Sequence, residues 1–355
     1  MNTTQILQNS VENHATDIFI VAGQPITIKV FNKFISLDDN KLLPSATNQI
    51  IMDIYKLAHN RDPKNLIKHG DDDFSFSIPA LSRFRVSTYK QRGSYAAVIR
   101  VITFDLPNPK EIGISDDIIK LVDIKKGLTL VTGPAGSGKS TTQACMIDYI
   151  NKNHSRHIIT LEDPIEYLHS HNKSIVSQRE ISIDSDSYVN ALRAALRQAP
   201  DVILLGEMRD YETIDIALTA AETGHNVIST LHTLGASTTI DRIIDVFPAN
   251  QQHQVAIQLS MNLETVVSQQ LVPTTDGKLT PAFEIMIVTP AIKNLIRERK
   301  IHQIDSVIAS NSNGHMMTME ESLLRLYKEG KITEETAIIY STNEDLMKRK
   351  LNIKR

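Results

Sequence analysis

Two patterns of apolar and polar residues divide the chain. Over roughly the first hundred residues, short stretches such as Phe74–Ile78 and Arg83–Tyr89 alternate apolar and polar side chains, which is typical of half-buried strands. One helical stretch, at about residues 45–57, follows Pro44, and proline is favoured in the first turn of a helix. The pattern therefore predicts a small α+β domain over residues 1–104.

The pattern changes after residues 105–109, which read Asp-Leu-Pro-Asn-Pro. From about residue 114, continuous apolar runs of strand length alternate with helical segments, as in a parallel sheet with helices on both faces. After about residue 280 the pattern is mainly helical. We therefore expect a linker over residues 105–113, an α/β core over 114–280 and a helical region over 281–355.

Composition and charge narrow the class of protein. The 355 residues carry a net charge of -3, so the chain lacks the general basic field of a dedicated nucleic-acid binder. The single cysteine, Cys145, excludes an internal disulfide and a cysteine-rich zinc site. We find neither an apolar run of roughly 18 residues, as a membrane helix needs, nor the basic start and apolar centre of a secretory signal. A cytoplasmic protein, associated at most peripherally with a membrane machine, is expected.

One motif predicts a phosphate-binding P-loop for ATP. It follows an apolar run that ends at Thr132 and opens a predicted helix, and its glycines let backbone N–H groups wrap around a triphosphate. The helix N-terminus adds a positive potential. Lys139 is expected to reach the β- and γ-phosphates, and Ser140 to bind Mg²⁺. The motif comprises Gly133, Pro134, Ala135, Gly136, Ser137, Gly138, Lys139, Ser140 and Thr141.

Polar residues at the ends of other apolar runs are the candidates for catalysis. Glu207 follows DVILLG and is expected to position the attacking water. Most P-loop ATPases have a metal-binding aspartate one residue earlier, where this chain has Gly206; Glu162, after HIITL, is therefore the candidate for holding Mg²⁺, directly or through water. His232 ends NVISTLH and could sense the γ-phosphate. Each of these side chains could instead cap a helix or lie solvated at the surface.

Phosphoryl transfer also needs positive charge, commonly an arginine from another domain or subunit. Arg85 and Arg100 are preferred, because each lies inside a predicted strand. Arg193 and Arg197, four residues apart on a predicted helix, are a second source. Exposed arginines on strands are otherwise unremarkable.

In order along the chain, these motifs resemble those of the secretion and type IV pilus ATPase superfamily. The P-loop resembles its Walker A motif. Three further stretches resemble its Asp box, Walker B motif and His box, namely ITLEDPIEYLH from Ile159, PDVILLGEMRD from Pro200 and TAAETGHNVISTLHT from Thr219. The resemblance is strongest to the pilus retraction ATPases, through SQQLVP from Ser268, PAFEIM from Pro281 and AIKNLIRE from Ala291.

The resemblance implies a PAS-like N-terminal domain, a RecA-like P-loop domain and a mainly helical C-terminal extension. It implies a homohexamer that hydrolyses ATP with Mg²⁺ between the two domains, with Glu207 catalytic and arginines of residues 83–100 near the phosphates. Such a motor would act on a platform protein at the inner face of the membrane, retract pili for twitching motility, and need neither zinc nor a stable nucleic-acid partner. The N-terminus departs from the family pattern, because Lys29 lies near the usual position of an arginine.

Alternative functions remain open. Pilus extension and type II secretion ATPases usually carry a longer N-terminal region and a four-cysteine zinc module, which this chain lacks. The AIKNLIRE stretch distinguishes this chain from conjugation and type IV secretion ATPases. A non-hydrolysing nucleotide-binding protein or a RecA-like DNA-handling protein would need a basic groove, whereas the dense basic cluster lies near the C-terminus, at Lys348, Arg349 and Lys350.

Overall fold

The computed structural model describes residues 2–30, 33–79, 81–102, 104, 106–310 and 315–351. The chain forms two compact units, one of Met1–Asp105 with Ile165–Leu168 and the other of Leu106–Pro164 with His169–Arg355. In the part of the chain that the structure describes, none of the helices combines the length and the apolar character needed to cross a membrane.

The first unit contains a six-stranded antiparallel sheet in the order β3-β2-β1-β6-β5-β4. Strands β1 to β6 are Asp17–Ile20, Thr27–Val30, Lys33–Ser36, Asp71–Ile78, Ser82–Gln91 and Ser94–Ile102. Helices α1 to α3 are Thr3–Glu12, Pro44–Leu57 and Lys64–His69.

Alternating burial explains this sheet. In β5, Phe84 and Val86 are fully buried while Arg85 is exposed, because successive side chains of a strand point to opposite faces. The buried row belongs to the same apolar cluster as Ile51 of α2. Helix α1 is not among the predicted elements, although Asn2 and Gln5 form a capping box at its start that satisfies two N–H groups.

The second unit contains a seven-stranded sheet in the order β13-β12-β7-β11-β10-β8-β9. All strands are parallel except β13, which is antiparallel to β12. Strands β7 to β13 are Gly127–Thr132, His157–Glu162, Ile175–Glu180, Val202–Leu205, Asn226–Leu231, Leu263–Pro273 and Leu279–Ile287. Helices α4 to α14 are Asp116–Lys120, Lys139–Asn153, Tyr188–Ala195, Tyr211–Glu222, Ala236–Asp245, Gln252–Asn262, Pro290–Arg297, Ile304–Ser310, Met319–Lys328, Glu334–Ile339 and Glu344–Lys350, with a short 3₁₀ helix at Ile301–Gln303.

Helices cover both faces of this sheet, which explains why its strands are apolar throughout. Strand β10 shows the arrangement, since all four of its residues are buried. Ile203 belongs to a cluster with Ile214 of α7, whereas Leu204 belongs to another with Ile147 of α5. The mixed α/β class predicted from the sequence is therefore correct.

The C-terminal region differs from its prediction. Residues 281–287 belong to strand β13, so the expectation of a helical region from residue 281 onward is wrong for these residues. The reason is burial on both faces: Pro281 to Met286 are all buried, so the strand shows no alternation of apolar and polar residues. Beyond the strand, helices α10 to α14 follow as expected.

Candidate active site

Four adjacent strands of the second unit end at one edge of the sheet, and each end carries a predicted site residue. In sheet order, β7 leads to Gly133, β11 to His232, β10 to Glu207, and β8 ends at Glu162. Ligands of open α/β sheets bind at the carboxyl ends of the strands. The structure therefore brings these four predicted elements together on one rim.

The glycine loop, residues 133–138, joins β7 to α5. Gly133, Gly136 and Gly138 have φ angles of 142°, 75° and 87°, a region that other residues rarely adopt. A Cβ atom on Gly133 would lie 2.0 Å from the backbone oxygen of Gln269. The loop therefore requires glycine for its conformation and for its close approach to strand β12.

Lys139, the first residue of α5, is buried with only 8% of its surface exposed. Its Nζ donates hydrogen bonds to the backbone oxygens of Gly133, at 2.8 Å, and Pro134, at 2.9 Å. The ammonium group therefore lies within the glycine loop; that it reaches the β- and γ-phosphates stays a prediction. Ser140 and Thr141 follow in the same first turn and are partly exposed.

Gln269 of β12 holds the glycine loop, a role that the sequence did not reveal. Its Oε1 accepts a 2.7 Å hydrogen bond from Thr142, and its Nε2 donates one of 2.7 Å to the backbone oxygen of Ser137. The side chain is 1% exposed. The only signal was its place in the SQQLVP stretch, which carries no physical indication of this contact.

Glu207 lies next to two nitrogen-bearing side chains. Its Oε2 is 3.3 Å from His232 Nε2, and its Oε1 is 2.8 Å from Arg209 Nη2. The Glu207 side chain is 12% exposed, whereas that of Arg209 is 74% exposed. The hydrogen bond and the charge of Glu207 raise the pKa of the Arg209 guanidinium. Arg209 was missed because a charged residue in a loop usually indicates only a solvated surface.

Glu162 is held by its neighbours at the end of β8. Its Oε1 accepts hydrogen bonds from Thr160 Oγ1, at 2.6 Å, and Gln178 Nε2, at 3.3 Å. The residue is partly exposed. Because these hydrogen bonds orient the carboxylate while leaving it accessible, Glu162 remains a suitable candidate for a metal.

The structure explains the glycine at position 206. A Cβ atom there would lie 2.8 Å from the Oη of Tyr188 and 3.2 Å from the backbone oxygen of Leu161. Burial, followed by the charges of Glu207 and other nearby acids, raises the pKa of the Tyr188 hydroxyl, which therefore stays protonated. An aspartate cannot be accommodated at position 206 without displacing these neighbours.

The predicted arginines lie in different places. Arg85 and Arg100 are direct cross-strand partners in β5 and β6 of the first unit, and both are exposed. Arg100 Nε lies 3.2 Å from Asp17 Oδ1. Arg193 forms an ion pair with Glu212 at 2.8 Å, and Arg197 lies beyond the end of α6, so these last two do not share a helical face.

Comparison with known proteins gives a family and close relatives. The family described as "Type II/IV secretion system protein" matches residues 2–350. The chain is 43% identical over 337 residues to the "Type IV pilus retractation ATPase PilT" of Pseudomonas aeruginosa, covering 95% of this chain and 97% of that protein. It is 39% identical over 342 residues to the "Type IV pilus ATPase PilU" of the same organism, covering 96% and 89%.

A solved structure is similar over nearly the whole chain. It is the crystal structure of the pilus retraction motor PilT with bound ADP, which is 45% identical in sequence and superposes with a TM-score of 0.88. The match covers 98% of this chain and 99% of that one.

Proposed function

The chain belongs to the Type II/IV secretion system protein family, and we propose that it is an ATP-hydrolysing motor that powers type IV pilus retraction. The observation that carries the enzymatic part is the common rim of the glycine loop, Glu207 and His232. The similarity to PilT over nearly the full length of both chains supports the retraction part.

We propose the following domains for this motor. Residues 1–104 form a PAS-like domain, residues 105–113 a linker and residues 114–287 a RecA-like ATPase core that includes β13. The helical extension then begins with α10. The order of parallel strands around β7 supports the core, and the absence of regular structure in residues 106–113 supports the linker.

The glycine loop fits the phosphates of ATP. The Ser137 Oγ is buried and has no hydrogen-bond partner among the residues that the structure describes, and this hydroxyl can donate to a phosphate oxygen. The ammonium group of Lys139 donates hydrogen bonds to two backbone oxygens of the loop. Anionic phosphate oxygens are stronger acceptors for an ammonium group than these backbone oxygens. Gly138 gives α5 no side-chain cap, which leaves the first-turn N–H groups suited to an anion.

We assign the metal position to Ser140 and Glu162, with Mg²⁺ held directly or through water. Both residues are partly exposed. Ser140 lies beside the glycine loop, and Glu162 lies at the end of β8. When bound, Mg²⁺ would neutralise charge on the β- and γ-phosphates. Hydroxyl and carboxylate oxygens are ligands that suit this ion.

Glu207 is the group that orients the attacking water and accepts its proton. His232 and Arg209 each approach a different oxygen of its carboxylate, so they fix its orientation and His232 can link Glu207 to the γ-phosphate. Arg85 and Arg100 would stabilise the transferring phosphoryl group from a neighbouring copy in a homohexamer. The motor would act from the cytoplasm on a platform protein of the pilus machine.

Replacing Glu207 by Gln tests the enzymatic part. Glu207→Gln should bind ADP as the unaltered protein does and lose turnover by about 10²-fold or more. Glu222→Gln is the matched control, because Glu222 is exposed at the end of α7, where it accepts a hydrogen bond from Gln258. Unchanged turnover in Glu207→Gln would remove that residue from the mechanism.

Complementation tests the retraction part. Expression of the chain in a piliated strain that lacks its retraction motor should restore twitching, and Glu207→Gln should not. Motors for pilus extension, secretion or conjugation predict no restoration. If the chain hydrolyses ATP but does not restore twitching, retraction is contradicted and one of these other motor functions is favoured.

A further inference from the structure

Glu284 is a buried acid that takes no part in the chemistry proposed above. It lies on β13 and is 8% exposed. Its Oε1 accepts a 2.7 Å hydrogen bond from the backbone N–H of Ala236, and the backbone N–H of Met319 lies near enough to stabilise the charged form of the carboxylate. Ala236 and Met319 are the first residues of α8 and α12, so one side chain interacts with the starts of two helices.

Helix α8 is directly connected to the candidate active site. It follows the His232 loop, residues 232–235, which leaves β11 at the catalytic rim. The N-cap residue Gly235 provides no side-chain cap, and its N–H donates to Ser268 Oγ at 2.8 Å. Ser268 is the direct sheet partner of Glu284. Ser268 and Glu284, which are paired on adjacent strands, therefore accept hydrogen bonds from the end of the His232 loop and the start of α8.

Helix α12 leads into the C-terminal helices. Glu320, its second residue, is 5% exposed and accepts hydrogen bonds of 3.0 Å from the N–H groups of Thr342 and Asn343. Asn343 is the N-cap of α14. A second carboxylate thus continues the connection that begins at Glu284, from the start of α12 to the start of α14.

A carboxylate is a costly choice for a site that needs only a helix cap. Burial, together with the weaker influence of Asp305 and Glu320, raises the pKa of Glu284 to about 7. An apolar or neutral residue often serves stability better at a buried position. The advantage of a carboxylate is that its two oxygens can accept from both helices at once.

We propose that Glu284 is a positioning residue that couples the His232 loop to the C-terminal helices α12 and α14. Nucleotide bound at the glycine loop then changes the stability of α12 through α8 and Glu284, and α12 in turn affects the placement of His232 beside Glu207. The coupling rests on the proposed ATPase function. It predicts effects on turnover without a loss of nucleotide affinity.

Glu284→Gln tests the coupling, because glutamine keeps one oxygen acceptor and replaces the other by an NH₂ group that cannot accept. We expect the kcat for ATP to fall about tenfold or more and the KM to stay within about twofold. Ser322→Ala is the control. Ser322 Oγ accepts a 3.0 Å hydrogen bond from the N–H of Phe283, so its loss weakens the contact of α12 with β13 without touching Glu284 or the His232 loop. This control should keep its kcat.

Hydrogen exchange measured with and without ADP gives a readout that a purely structural role would not change. In the unaltered protein, ADP should slow exchange in residues 233–240 and in residues 317–323. In Glu284→Gln, only the first segment should respond. If Glu284→Gln does not fold, Ser268→Ala removes the neighbouring acceptor and should show the same loss of kcat.

Two results would overturn the coupling. One is normal kcat in Glu284→Gln or, where that variant does not fold, in Ser268→Ala; the other is an unaltered protein in which ADP leaves exchange at residues 317–323 unchanged. Absence of ATP turnover in the unaltered protein would instead contradict the proposed function. The exchange response to ADP would then decide the coupling by itself.

Discussion

Gln269 and Thr142 are joined by a 2.7 Å hydrogen bond across 127 residues of sequence. The same amide donates to the backbone oxygen of Ser137 within the glycine loop. Strand β12 therefore determines where the glycine loop and the start of α5 lie. A substitution of Gln269 should therefore change nucleotide binding, because it displaces the glycine loop and the start of α5.

Gln269→Leu should weaken ADP binding about tenfold and lower the free energy of unfolding by about 2 kcal/mol, because it leaves buried polar groups of Thr142 and Ser137 unsatisfied. Calorimetric titration and urea denaturation measure the two effects. The control is Gln270→Leu, since Gln270 is also buried but donates to the backbone oxygen of Tyr340. The control should lose stability and keep its affinity. Equal losses of affinity in both variants would contradict the role of Gln269.

Gly206→Ala should lower the free energy of unfolding by about 1–3 kcal/mol through overpacking against Tyr188 and Leu161. Tyr188→Phe removes the hydroxyl that the new methyl group would meet. The double variant should therefore be more stable than the sum of the two single changes, as a double-mutant cycle by urea denaturation would show. Strict additivity would mean that the contact with Tyr188 does not determine the glycine.

Arg85→Thr should have opposite effects on stability and activity. Arg85 on β5 lies directly opposite Arg100 on the adjacent strand β6. Like charges in such positions repel each other, so removal of Arg85 should raise the free energy of unfolding by about 0.2–1 kcal/mol. Loss of a phosphate-stabilising arginine should lower kcat about tenfold or more. Lys33→Thr removes the same charge from exposed strand β3 and should leave kcat unchanged. Normal turnover in Arg85→Thr would exclude this arginine from the site.

Glu284 should make stability depend on pH. Its pKa is raised from the ordinary value of 4.5 to about 7, so between these pH values the folded chain holds a proton that the unfolded chain has released. Stability therefore falls as the pH rises through this window, by roughly 3 kcal/mol for this group. Glu284→Gln lacks the titration, so urea denaturation from pH 4.5 to 8 should show the unaltered protein losing stability relative to the variant. Parallel curves would contradict the raised pKa.

Local features of the molecule were predictable from the sequence. The strand, glycines and helix of residues 128–151 form one contiguous unit, so their order alone indicates a phosphate site. Glu162, Glu207 and His232 each follow an apolar run, and parallel strands place such ends on one edge. The relatives confirm the predicted resemblance to pilus retraction ATPases. The catalytic roles of these side chains stay predictions.

Contacts between distant segments were decided by the tertiary structure. The sequence does not indicate that Gln269 supports the glycine loop, that Arg85 faces Arg100, or that Glu284 lies at the starts of α8 and α12. Strand β13 shows no alternation of apolar and polar residues because it is buried on both faces, so its sequence does not predict a strand. The physical reason is common to these cases: propensity and spacing act over a few residues, whereas sheet order and side-chain partners depend on packing among segments far apart in the chain.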